Sequence, residues 1–301
     1  MLKTKYIWFN GKFLKWEETK IHILTHTLHY GSGVFEGIRC YKTQDGPAVF
    51  RLKEHVDRLY NSAKFLKMKI PFNKKEIQKA IVELIKLNKI EECYIRPIVF
   101  YGYGKMGLNP KGASIDCAII LWPWGKYLKD KVKVKISEFI RLHPKSVFSS
   151  AKVCGYYVNS IFATFDAEED KFDESILLDY RGFVAEGPGE NIFLIKNKKL
   201  FTPRLGSILP GITRDSIIKI AEGIKIKVIE KDISVKELKN CDGAFFTGTA
   251  AEITPIFQID NKIINKGEII EEIKILQEKF YQIVHGENKK YKRWLSYVNN
   301  L

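Results

Sequence analysis

Arginine is scarce in this sequence. Only nine of the 50 basic residues are Arg, leaving 41 Lys against 35 Asp plus Glu, and the formal net charge over 301 residues is +15. Proteins that read phosphates and base edges lean on the planar guanidinium fork. Here the basic residues are lysines spread along the chain among Glu and Asp, so the charge predicts a solvated surface and no nucleic-acid partner. Long apolar runs are missing too: none approaches eighteen residues, and MLKTKYIWFNGK at the start holds no signal-peptide stretch. A membrane span and secretion are therefore not expected, and a cytoplasmic location is. The five cysteines, at positions 40, 93, 117, 154 and 241, include no CxxC pair. Such a set fits a reducing compartment, not a disulfide framework or a metal site.

Apolar material is plentiful, at 45% of residues against 28% charged, enough for a core in one large or two ordinary domains. Asn10-Gly11 between Tyr6-Ile7-Trp8-Phe9 and Phe13-Leu14 predicts a tight hairpin. Val56, Leu59, Tyr60 and Ala63 recur at helical spacing, and a second helix is expected over residues 74–87. Strands are expected at 93–101 and 116–122. Pro123 to Tyr127 then interrupts the pattern. Beyond it, strands at 131–137, 175–178, 192–195, 225–229, 244–247 and 253–259 mix with helices near 159–169, 213–222, 235–240 and 269–284. The expectation is an α+β protein with a small N-terminal domain (1–123), an interdomain loop (124–132) and a large C-terminal domain (133–301).

One charge stands apart. Residues 146–165 contain a single charged side chain, Lys152, where the composition predicts about five or six. Desolvation lowers the pKa of a lysine, and a neutral amine is a nucleophile, so Lys152 is a candidate Schiff-base lysine. A lysine snorkelling from a buried strand end reads the same way in this window. Val184 to Asn191 forms a Gly- and Pro-rich turn bracketed by Glu186 and Glu190, and a carboxylate fixed there suits a cofactor nitrogen. Leu209-Pro210-Gly211-Ile212-Thr213 opens an amphipathic helix and Thr247-Gly248-Thr249-Ala250 ends an apolar strand. Both are candidate anion cradles, and both are equally ordinary caps or turns. Tyr94 and Arg96 share one face of a strand. Arg96, in an apolar context, needs an anionic partner, either structural or a ligand. Arg58 is ambiguous in the same way, and His55 reads as a structural histidine.

These segments in this order resemble the branched-chain amino acid aminotransferases, pyridoxal-phosphate enzymes of fold type IV, over essentially the whole chain. The carrying residues are HYGSGVFEGIRCY (29–41), HVDRL (55–59), YIRP (94–97), MGLNP (106–110), PWG (123–125), AKVCGYYVNS (151–160), EGPGEN (186–191), LPGITRD (209–215) and GTAAEITP (248–255). The resemblance implies a two-domain, D-amino acid aminotransferase-like architecture, with pyridoxal 5'-phosphate at the domain interface and the large domain binding it. Lys152 matches the catalytic Schiff-base lysine, Glu186 the partner of the pyridine nitrogen, and Tyr157 the partner of the phenolic oxygen. Arg58, Gly211, Ile212, Thr213 and Thr249 match phosphate-binding positions, and Leu209 packs on the ring. Tyr30, Phe35, Tyr94, Trp124 and Tyr127 match substrate-pocket walls, and Tyr94, Arg96, Thr249 and Ala250 fall where the substrate carboxylate is handled. Met106 and Leu108 match a loop that reaches a neighbouring subunit, which implies at least a homodimer and leaves a higher oligomer open. Cys154 and Tyr156 stand where the family carries small residues or Asn.

The implied reaction is transamination between Leu, Ile or Val and 2-oxoglutarate. D-Amino acid aminotransferase and aminodeoxychorismate lyase are the rivals within the fold, and a basic nucleic-acid-binding protein is the rival outside it.

Overall fold

The computed structural model of the chain describes residues 3–125 and 128–300. It divides into two compact units: Met1–Gly125 with Ala151–Tyr156 and Gln282–Leu301, and Lys126–Ser150 with Tyr157–Tyr281. The predicted boundary put everything after residue 132 in one domain. Two later segments instead join the first unit, because their backbone pairs there.

The first unit opens with strands β1 (Tyr6–Phe9) and β2 (Lys12–Lys15), the hairpin that Asn10-Gly11 predicts, both turn residues having positive φ. Helix α1 (His26–Tyr30) and strands β3 (Gly33–Phe35), β4 (Ile38–Tyr41) and β5 (Ala48–Phe50) follow. Helices α2 (Leu52–Phe65) and α3 (Lys74–Asn88) lead to β6 (Cys93–Tyr101) and β7 (Ile115–Trp122). α3 starts where Asn73 and Glu76 cap each other's backbone N–H groups. α2 buries Leu52, Val56, Leu59 and Ala63, and α3 buries Ile77, Ile81, Leu84 and Ile85. Each large aliphatic side chain so buried contributes roughly 1.5–3 kcal/mol before entropy is charged against it.

The second unit begins with β8 (Val132–Ile140), α4 (Tyr157–Glu169), β9 (Glu174–Leu178), β10 (Val184–Glu186), β11 (Asn191–Lys196) and β12 (Lys199–Pro203). It continues with α5 (Ile212–Gly223), β13 (Val228–Lys231), α6 (Val235–Lys239), β14 (Gly243–Gly248), β15 (Glu252–Ile259), β16 (Lys262–Ile263) and α7 (Glu271–Val284). The strand expected at 225–229 forms three residues later, since Lys225 turns with positive φ. β10, β9, β8, β15, β14 and β11 pair in sequence, and a β10–β11 pairing closes the ring. Val134, Ile176, Ile192 and Phe246 belong to its buried core.

At the C-terminal end, β17 (Leu295–Tyr297) pairs antiparallel with β5, completing the eight-stranded sheet of the first unit. Among the described residues no helix is long and apolar enough to cross a membrane.

Candidate active site

Lys152 is fixed by its backbone. Its N–H donates to Ser62 Oγ on α2 at 3.0 Å, and its carbonyl accepts the Phe35 N–H at 3.1 Å. A bridge between Val34 and Val153 lays this segment against β3, which is why residues 151–156 belong to the first unit. The side chain is half-buried, with Nζ 5.0 Å from the centre of the Phe35 ring, inside cation–π range.

The same ring meets a second cation. Arg96, on β6, places its guanidinium carbon 4.7 Å from the Phe35 centroid, 5.4 Å from Tyr94 and 5.7 Å from Trp122. Its Nε is buried without a hydrogen-bond partner. A buried charged donor left open costs free energy that an incoming carboxylate would recover. Trp124 lies 4.9 Å from Tyr94, ring centre to ring centre. Tyr94 comes this close to the chain only because residue 37 is glycine: a Cβ there would sit 1.9 Å from the Tyr94 hydroxyl. So Lys152, Phe35, Tyr94, Arg96 and Trp124 are brought together.

Arg58 is held by a residue to which sequence reasoning gave no role. Glu36 is fully buried and accepts Arg58 Nε at 2.6 Å and Nη2 at 2.8 Å, with His55 Nδ1 at 2.7 Å. Burial alone would raise the Glu36 carboxyl. The Arg58 charge and the hydrogen bonds from Arg58 and His55 outweigh it and hold the pKa down to about 2. His55 is shifted down, chiefly by its own burial, and serves the structural role its sequence suggests. A signal for Glu36 existed: it is the only charged side chain between His29 and Arg39.

Tyr30 and Leu108 stand elsewhere in this unit. They line a hollow of about 950 Å³ together with His26, Ser32 and Tyr101, and Phe35, Tyr94 and Arg96 are not among its walls. His26 Nε2 lies 2.8 Å from the Gly107 carbonyl, tying the loop that carries Met106 and Leu108 to α1. Leu108 is 90% exposed.

In the second unit the predicted turn is a hairpin between β10 and β11, in which Glu186 and Asn191 are register partners. Asn191 Nδ2 donates to Glu186 Oε2 at 3.0 Å and to the Leu209 carbonyl at 3.0 Å. The Leu209 N–H returns to Glu186 at 3.1 Å, and Arg141 Nε donates to it at 2.7 Å. Arg141 Nη1 also reaches Asn159, two residues into α4 from Tyr157. Glu186 is thus buried and oriented by Arg141 and Asn191, neither of which was assigned a function from sequence. Gly211 caps α5 without a side-chain hydrogen bond, so the Ile212 and Thr213 amides open the helix. A Cβ on Gly211 would lie 1.9 Å from Asn191 Oδ1. Thr249 and Ala250 are half-buried in the turn after β14, and the preceding Thr247 Oγ1 is buried with no partner. Tyr127 lies outside the described residues.

A cation-lined aromatic cluster, a buried carboxylate at a hairpin and an uncapped helix start mark an anion-handling enzyme. Residues 33–259 match the family described as amino-transferase class IV, and the chain belongs to it. Within that class the chain is 41% identical over 297 residues to the branched-chain-amino-acid aminotransferase of Pseudomonas aeruginosa, covering 97% of each. It is 40% identical over 304 residues to the Escherichia coli enzyme of the same name, covering 99% of this chain and 98% of that one. A branched-chain amino acid aminotransferase complexed with N-(5'-phosphopyridoxyl)-L-glutamate, from the organism abbreviated T.th., has a TM-score of 0.97 at 42% identity, over 99% of this chain and 100% of that one.

Proposed function

We propose that the chain transfers the amino group between branched-chain L-amino acids (Leu, Ile, Val) and 2-oxoglutarate, giving branched-chain 2-oxo acids and L-glutamate by ping-pong kinetics, with pyridoxal 5'-phosphate as cofactor. The observation that carries this reading is the pairing of a backbone-fixed Lys152 with an open Arg96 Nε on one aromatic ring. The relatives bear names of this activity, and a relative was solved with a phosphopyridoxyl-glutamate adduct.

The residues fit the cofactor's chemistry. An uncapped α5 start suits its phosphate, a buried oriented Glu186 suits its ring nitrogen, and the orphaned Arg96 Nε suits a substrate carboxylate. When bound, pyridoxal phosphate supplies the carbonyl for amine exchange and the conjugated ring that takes up electrons from the substrate carbon. In this reading Lys152 Nζ would be the nucleophile and would hold the proton that moves to and from that carbon. The Glu186 carboxylate would hold a proton at the pyridine nitrogen, and Tyr157 would orient the phenolic oxygen. Arg58, Gly211, Thr249 and the Ile212 and Thr213 amides are the residues that would hold the phosphate, and Leu209 would pack on the ring. Arg96, Tyr94, Thr249 and Ala250 would receive the substrate carboxylate, and Phe35, Trp124 and Tyr127 would exclude water from the aliphatic side chain.

Met106 and Leu108 act in a neighbouring copy, so the working unit is at least a homodimer. Five free cysteines, four of them buried, support a reducing, cytoplasmic setting.

Initial rates with 2-oxoglutarate as acceptor test the reading. L-Leu, L-Ile and L-Val turning over at least about tenfold faster than D-Ala is the expected result, a difference of roughly 1.4 kcal/mol in transition-state binding. Faster turnover of D-Ala, or conversion of aminodeoxychorismate, overturns it.

A further inference from the structure

A hollow of about 270 Å³ opens on the second unit, and none of its walls is a residue of the candidate active site. Its floor is apolar. Leu194 on β11 and Phe201 on β12 are register partners, so their side chains stand together on one face of the sheet. Ile233, where the chain has left β13 for α6, forms another wall. Leu194 and Ile233 belong to the buried core of this unit, and Phe201, half-buried, packs against it.

The charged walls are basic. Lys196, Lys231 and Lys236 line the hollow against one carboxylate, Glu237. Glu237 is already engaged: it accepts Lys231 Nζ at 2.5 Å and the Ser234 N–H at 2.9 Å, the cap that starts α6. Lys196 Nζ donates to Asp242 at 2.7 Å. The Lys236 ammonium, exposed, has no hydrogen-bond or ion-pair partner among the described residues. Charge and floor also meet directly, since Lys231 Nζ lies 5.5 Å from the centre of the Phe201 ring. Lysine stems often cover apolar surface. Here they leave a hollow over it, in which water finds few polar partners.

We propose that this hollow is a binding site for a small apolar monocarboxylate, its tail on Leu194, Phe201 and Ile233 and its head at the Lys236 ammonium. The volume sets the size. At about 30 Å³ for each water-sized group, the space holds roughly nine non-hydrogen atoms, an acid of about five to seven carbons. The charges set the sign: an anion meets an open ammonium, whereas a cation meets three lysines and a carboxylate already engaged. The apolar floor sets the tail, because an aliphatic chain there displaces water from apolar surface. The inference stands independently of the proposed reaction.

Methyl NMR of the full chain loaded with pyridoxal phosphate, with isoleucine methyl groups labelled, tests it. The Ile233 signal is followed during titration with hexanoate, acetate and hexylammonium. Hexanoate is expected to shift it to saturation with a midpoint on the order of 1 mM. Acetate, which lacks the tail, and hexylammonium, which has the opposite charge, are expected to leave it in place. Lys236→Glu should raise the hexanoate midpoint at least about tenfold. No saturable shift with hexanoate, an equal response to acetate or hexylammonium, or an unchanged midpoint in folded Lys236→Glu overturns the proposal. Should the variant misfold, the wild type decides through the Overhauser contact between the hexanoate tail and the Ile233 methyl. Its presence supports the site, and its absence at saturation overturns it.

Discussion

The Glu36 carboxylate takes two hydrogen bonds from one arginine, Arg58 Nε at 2.6 Å and Nη2 at 2.8 Å, and is itself fully buried. Arg58 is thereby aimed, and its charge compensated, before any anion arrives.

Removing that compensation breaks a buried pair and leaves an uncompensated cation. Glu36→Gln is expected to lower stability by about 3–5 kcal/mol, read as a fall in Tm on the order of 10 °C for a protein of this size. It also weakens affinity for pyridoxal phosphate, measured by fluorescence titration. A melting curve that superposes on the wild type would contradict this role.

The same group sets a sign for acid. Its folded pKa, about 2, lies below the ordinary 4.5, so the unfolded chain takes up the proton first as pH falls. The stabilisation is complete above pH 4.5 and is lost as pH drops towards 2, about 3 kcal/mol in all. Urea unfolding at pH 6, 4.5 and 3 should show this loss in the wild type and a flatter dependence in Glu36→Gln. Equal slopes in the two proteins would refute it.

Glu174 behaves in the opposite sense. Its carboxyl is raised to about 9, first by burial and then by Glu190. The folded chain retains a proton that the unfolded chain releases, so stability falls as pH rises from about 4.5 to 9. Glu174→Gln should flatten the decline of Tm between pH 6 and 9. A steeper decline would show that Glu174 is charged in the fold.

Gly211 is needed for space. Gly211→Ala puts a Cβ 1.9 Å from Asn191 Oδ1, and Asn191 holds both Glu186 and Leu209. The expected cost is about 1–3 kcal/mol of stability, with at least about tenfold weaker binding of pyridoxal phosphate. Thermal melts and equilibrium titration measure the two, and unchanged binding would mean that the α5 start does not hold the phosphate.

How much was legible beforehand depended on range. The hairpin at Asn10-Gly11 and the helices α2 and α3 could be read because turn chemistry and 3.6-residue periodicity are local. Lys152 could be singled out as a candidate because nineteen neighbours carry no charge. The strands β3, β4, β10, β12 and β17, of three to five residues, were not, since no period shows over so short a span. The partners that orient the candidate site were equally hidden: Arg58 is 22 residues from Glu36, and Arg141 is 45 from Glu186. Only the sheets bring them together. For the same reason β17, whose partner β5 lies some 245 residues earlier, was assigned to the wrong half of the chain.

The central claim is that Lys152 carries the cofactor. The most direct measurement is the visible absorption of purified protein incubated with pyridoxal phosphate, followed by borohydride reduction and peptide mapping. A band that borohydride bleaches, with the reduced cofactor on the peptide containing Lys152 and no band in Lys152→Ala, is the predicted result. A colourless protein, or label retained on another lysine in Lys152→Ala, would contradict the account.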